Sequence, residues 1–115
     1  MSTQVVVAKL AGLTGRAGEL RTLLADRAAE VRAEEGCASY EVAELLDGEP
    51  TSFVIVQTWA SAETLRAHYA TEAHAEYQHA VDELLATPSE VVIHQVASTT
   101  RPSASTSPTD PGRFG

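Results

Sequence analysis

Four histidines, one tryptophan, three tyrosines and one cysteine give this 115-residue chain most of its scope for chemistry near neutral pH. His68, His74 and Tyr77 fall within one ten-residue stretch, and Trp59 precedes them. A neutral imidazole can accept or donate a proton close to pH 7, so His68 is the candidate general base. It stands three residues past Leu65, near the apolar side of a helix. The same position suits a core or cap histidine held by a backbone carbonyl. His74 and Tyr77, at i and i+3, share one face of the next helix and could line a cavity or simply pack. Trp59 closes a run in phase with Phe53, Ile55 and Gln57. It reads either as a core aromatic or as a pocket wall stacking on a planar ligand, with Phe53 and Ile55 beside it.

Other chemistries find less support. His74 and His79 are five residues apart, about 140° around a helix, so they do not share the single face that i, i+4 metal ligands use. In His74-Ala75-Glu76 the two possible ligands diverge by about 200°. No metal is expected, and no P-loop, Gly-rich dinucleotide fingerprint or nucleophile elbow suggests another cofactor. Cys37 follows Glu34 and Glu35, an anionic setting that raises a thiol pKa and disfavours a reactive thiolate.

The elements that must position these residues follow from periodicity. Thr3 to Leu10 is β-branched and apolar on both alternations, a strand covered on both faces. From Arg16, the positions Leu20, Leu23, Leu24, Ala28 and Val31 form one helical stripe that ends at Gly36. Cys37 to Leu46 and Thr51 to Trp59 flank Asp47-Gly48-Glu49-Pro50, a hairpin. Ser61 and Thr71 each precede helical residues with an acid in the first turn, as N-caps do. The second of these helices carries Ala73, Tyr77, Ala80, Val81, Leu84 and Leu85 on one face and stops near Pro88. Glu90 to Ala97 is the closing strand.

The order βαββαβ is the split-βαβ, ferredoxin-like α+β arrangement, with both helical segments on one face of a four-stranded antiparallel sheet. Strands one, three and four are apolar on both sides. In so short a chain a second copy must cover the other face, which predicts a homodimer packed sheet to sheet.

The segments EEGCASYE (34–41), QTWAS (57–61) and LRAHYATEAHAEYQ (65–78) resemble the antibiotic biosynthesis monooxygenase family, and within it the small quinol-monooxygenase-like branch. The likeness spans roughly residues 4–97: an acidic helix end with Gly-Cys and an aromatic, a Trp closing strand three, then His, Thr and a second His. It implies a dimeric α+β barrel and a cofactor-free monooxygenase that oxidises a small quinol or phenolic aromatic substrate with O2. His68 would be catalytic, and Trp59, His74, Tyr77, Phe53 and Ile55 would bind the ring. Where the polyketide-oxidising branch has a substrate-contacting Asn this chain has Ile55, and a Tyr of that branch is replaced by Leu65. The haem-degrading branch has Asn, Trp and His where Ala8, His68 and Gln78 stand, which disfavours haem chemistry. A non-redox, dimeric small-molecule-binding or stress-related domain, or an isomerase, is the alternative on the same fold.

Composition bounds the rest. With 8 Lys+Arg against 16 Asp+Glu the formal net charge is -8, which repels nucleic acid. The longest apolar runs, such as Val5-Val6-Val7-Ala8, are far short of the roughly 20 residues that span a bilayer. No cationic leader precedes them and Cys37 is the sole cysteine, so a reducing cytoplasm is the expected setting. Residues 1–97 read as one domain. Residues 98–115 hold four Ser, four Thr, three Pro and two Gly, which predicts a disordered tail.

Overall fold

The computed structural model describes residues 2–102. The elements are β1 (Gln4–Ala11), α1 (Ala17–Arg32), β2 (Cys37–Glu44), β3 (Ser52–Trp59), α2 (Ala62–Tyr69), α3 (Glu72–Asp82) and β4 (Glu90–Gln95). The strands form one antiparallel sheet in the order β2-β3-β1-β4. This is the ferredoxin-like α+β fold that the element order predicts. Among the described residues no helix is long and apolar enough to cross a membrane. The expected disordered tail lies, from 103 onward, outside the described residues.

Pleat alternation divides the sheet. Val6, Ala8 and Leu10 of β1 pair with Gln57, Ile55 and Phe53 of β3, and all six are buried on the helical side. α1 meets them with Leu20, Leu24, Ala28 and Val31, each nearly or wholly excluded from solvent. Burial of each large aliphatic contributes about 1.5–3 kcal/mol relative to exposure. Arg27 shares this stripe: it stands at i+7 from Leu20 and i+3 from Leu24, and is 3% exposed. The opposite sheet face carries Val5, Val7, Val54 and Val56, with Val92 of the edge strand β4 pairing Val7.

Several boundaries differ from the sequence expectation, β1 and β3 by a single residue and three others by more. α3 stops at Asp82, short of Pro88, because the residues beyond it turn to hold the end of β1. There the Leu13 amide donates to the Leu84 carbonyl at 2.9 Å and the Ala86 amide to Ala11 at 2.8 Å. Leu84 and Leu85 are therefore buried outside a helix. β2 ends at Glu44, and Leu45 and Leu46 project from the hairpin turn into solvent. β4 ends at Gln95, although the Val96 amide still reaches the Thr3 carbonyl at 2.9 Å.

Two local devices set the site. Gly36, at φ 84°, turns the chain from α1 into β2 where any Cβ would collide with the Thr64 side chain. Its carbonyl accepts the Ala60 amide at 2.8 Å, fixing the start of β2 against the end of β3. A bulge between Cys37 and Ser39 then shifts the register, so that Tyr40 rather than Ser39 pairs with Gln57 and faces the helices.

Candidate active site

Between the sheet and α2–α3 lies a cavity of about 240 Å³. Its floor is Val6, Ala8, Ile55 and Gln57, Arg27 and Tyr40 stand at the α1–β2 side, and His68, Tyr69, His74 and Tyr77 close it from the helices. Val91 and Ile93 of β4 form its more exposed border.

The helix turn that closes the cavity is built by two hydroxyl caps. Ser61 and Thr64 form a reciprocal capping box at the start of α2, the Thr64 amide donating to Ser61 Oγ at 3.1 Å. Thr71 caps α3 by accepting the His74 amide at 3.1 Å, and its own hydroxyl donates to the His68 carbonyl at 2.8 Å. One threonine thus ties the end of α2 to the start of α3. The His68 and His74 rings are brought to 4.9 Å.

His68 is 3% exposed, and its Nδ1 is held by a side chain rather than by a backbone carbonyl. Nδ1 lies 2.9 Å from Glu34 Oε1, at the end of α1. The carboxylate fixes the ring and, when Nδ1 carries the proton, favours the tautomer with Nε2 free to act as a base. Trp59 packs behind it with ring centroids 4.7 Å apart and the planes tilted by 33°, and Tyr69 lies at 5.3 Å.

Of the residues singled out in the sequence, Ile55, His68, His74 and Tyr77 come together on the cavity. Trp59 and Phe53 do not line it. Trp59 is fully buried behind His68, and Phe53 sits further along β3, with the Arg21 guanidinium 5.9 Å from its ring centroid. Trp59 acts on the cavity through a neighbour instead: its Nε1–H donates to Gln57 Oε1 at 2.9 Å. An indole N–H can only donate, so the Gln57 carbonyl is committed and its amide nitrogen is the end left for a ligand.

Sequence reasoning missed Arg27, Glu34, Tyr40, Gln57 and Tyr69. Arg27 was legible in principle, since a cation on the apolar stripe of α1 breaks the pattern. Glu34 was noted as a neighbour of Cys37 and as part of the acidic helix end, not as a partner of His68. The orientation of Tyr40 depends on the bulge, which leaves no clear mark in the sequence.

Burial governs the titration of these groups. It pushes Tyr40 up to about 12, against the opposing pull of Arg27. Tyr77 is raised further, first by burial and then by the Tyr40 phenol beside it. Both remain neutral O–H donors at physiological pH. Burial, then repulsion from the neighbouring His68 and Arg27, lowers His74 below its ordinary 6.5. The Cys37 thiol is raised as expected, with burial the larger cause and Glu34 the second. Among the described residues no three His, Cys, Asp or Glu side chains converge as a metal site would require.

A ferredoxin-like α+β sheet with a cavity of apolar and aromatic side chains between sheet and paired helices is the class of protein that fold and site define. The profile of the antibiotic biosynthesis monooxygenase family matches residues 3–80, and the chain belongs to that family. Membership supports a monooxygenase-type function. Among solved structures it is similar to Rv0793 of Mycobacterium tuberculosis, with 29% identity and a TM-score of 0.76 over 89% of this chain and 100% of that one. It is also similar to SO0527 of Shewanella oneidensis, with 26% identity, a TM-score of 0.76, and 83% and 91% of the two chains covered. A Deinococcus radiodurans protein assigned to the antibiotic biosynthesis monooxygenases shares the fold at a TM-score of 0.80 and 24% identity, over 87% and 98% of the chains. Among curated proteins none matches the sequence.

Proposed function

We propose that the protein is a cofactor-free monooxygenase of a small quinol or phenolic aromatic. The observation that carries this reading is the buried His68, backed by Glu34 and opening on a cavity walled by apolar and aromatic side chains. Ground-state O2 is a triplet and reacts slowly with closed-shell molecules, whereas a deprotonated hydroquinone gives up an electron readily. The substrate can therefore do the redox work once the protein binds it, removes a proton and excludes water. His68 takes the phenolic proton, and Gln57, Tyr40 and Tyr77 offer hydrogen bonds to ring oxygens. With 1,4-dihydroxynaphthalene the reaction consumes one O2. One oxygen atom enters the ring to give 2-hydroxy-1,4-naphthoquinone, and the other leaves as water.

The working unit in this proposal is a homodimer in the cytoplasm. Val5, Val7, Val54, Val56 and Val92 form an apolar stripe on the face that, among the described residues, no helix covers, and a second copy packed sheet to sheet would bury it. O2 uptake with 1,4-dihydroxynaphthalene, corrected for autoxidation, tests the activity. A rate equal to the protein-free control across a panel of quinols and anthrones would overturn it in favour of a non-redox binding domain or an isomerase.

A further inference from the structure

Quinol oxidation as just described gives Arg27 no role. A guanidinium that is 3% exposed carries a large desolvation cost, which nearby groups must offset. Its Nη1 reaches Glu30 Oε1 at 3.3 Å, but that carboxylate is 67% exposed. Its Nη2 stands 3.8 Å from Glu34 Oε2, beyond hydrogen-bond length, while Glu34 Oε1 is held by His68. The guanidinium carbon lies 5.4 Å from the Tyr77 ring centroid. Among the described residues, Nε and Nη2 of Arg27 have no hydrogen-bond partner, and neither does the buried Nδ1 of His74 on the same cavity.

The unpartnered pair is chemically specific. Nε–H and the neighbouring Nη2–H project in parallel from one edge of the planar guanidinium, at the spacing of the two oxygens of a carboxylate. A neutral phenol or quinone oxygen can accept from this edge but brings no charge to offset the buried cation, whereas a carboxylate matches both N–H groups and neutralises it. An acidic protein with a net charge of -8 gives an anion no long-range attraction, so such a ligand would need a desolvated cation within the site itself.

We propose that the cavity takes a hydroxyaromatic carboxylate, its carboxylate on the Nε/Nη2 edge of Arg27 and its hydroxyl towards His68. Glu34 sets the two ends: Oε1 holds the base and Oε2 faces the cation, so the hydroxyl and the carboxylate occupy adjoining positions on one ring. This specificity rests on reading the cavity as an aromatic-ligand site.

Anaerobic titration calorimetry at pH 7.5 with 1,4-dihydroxy-2-naphthoate, its neutral carboxamide and 1,4-dihydroxynaphthalene tests the proposal. The acid is expected to bind the wild type roughly 10- to 100-fold more tightly than the carboxamide, the span of a charge-assisted hydrogen-bond pair. Arg27→Met should abolish that preference while the carboxamide and the naphthalenediol still bind. If that variant does not fold, Arg27→Lys, which keeps the charge and loses the fork, should lose most of the preference. Equal binding of acid and carboxamide to the wild type, or a preference unchanged in the variants, overturns the carboxylate assignment and leaves the quinol reading standing. Failure of all three compounds to bind overturns both.

Discussion

His68 and Glu34 are 34 residues apart in the chain and 2.9 Å apart in the fold, imidazole Nδ1 to carboxylate Oε1. The contact exists because Gly36 lets the end of α1 turn back against Thr64, one helical turn before His68 on the same side of α2. A ring held in this way is oriented before the substrate arrives. His68→Ala should lower quinol-dependent O2 uptake by roughly 10² or more if the imidazole is the base. Glu34→Gln should cost about 10-fold by freeing the ring, with the loss falling on kcat more than on KM. Stopped-flow oxygen consumption across substrate concentration, with autoxidation subtracted, reads both.

The Trp59–Gln57 hydrogen bond predicts a different signature. Trp59→Phe keeps an aromatic ring behind His68 and removes the N–H that holds the Gln57 carbonyl. Substrate binding should weaken several-fold with kcat little changed, because a ground-state positioning contact is lost. Gln57→Leu should produce the same split between KM and kcat. A fall confined to kcat in either variant would contradict the arrangement.

Gly36→Ala should destabilise the fold by about 1–3 kcal/mol, since it combines a strained positive φ with a collision against Thr64. A urea midpoint shift at unchanged m-value is the expected reading. Gly15→Ala, also at positive φ but with open space around it, should cost less.

Acid should destabilise the protein through His74. Its folded-state pKa lies below the ordinary 6.5, so the unfolded chain binds the extra proton first. Stability from this group is fully present above 6.5 and is lost as pH falls below it, towards the lower folded value. His74→Asn should flatten the dependence of the thermal midpoint on pH between neutrality and pH 5.

The uncovered valine stripe predicts the oligomer. Light scattering should give twice the chain mass, and Val7→Asp together with Val56→Asp should reduce it to the monomer, because paired buried charges on adjacent strands oppose sheet-to-sheet packing. A wild-type monomer that stays folded at micromolar concentration would refute the packing argument.

Local periodicity made most of the fold legible in the sequence. The stripe from Leu20 to Val31, the two-residue alternation through Phe53, Ile55, Gln57 and Trp59, and the caps at Ser61 and Thr71 depend on neighbours within a turn or a pleat. Such patterns survive without knowledge of the rest of the chain. His68, His74 and Tyr77 were legible for the same reason, as reactive types near apolar helix faces. What only the tertiary structure decided are relationships across the chain. The bulge after Cys37 turns Tyr40 onto the cavity, and the α1–β2 turn delivers Glu34 to His68. Trp59 stands behind the site rather than in its wall, since His68 and Gln57 fill the space in front of it. Periodicity assigns a residue to a face. Which partner it meets there is set by packing between elements distant in sequence, and that packing left the Nε/Nη2 edge of Arg27 without a hydrogen-bond partner among the described residues.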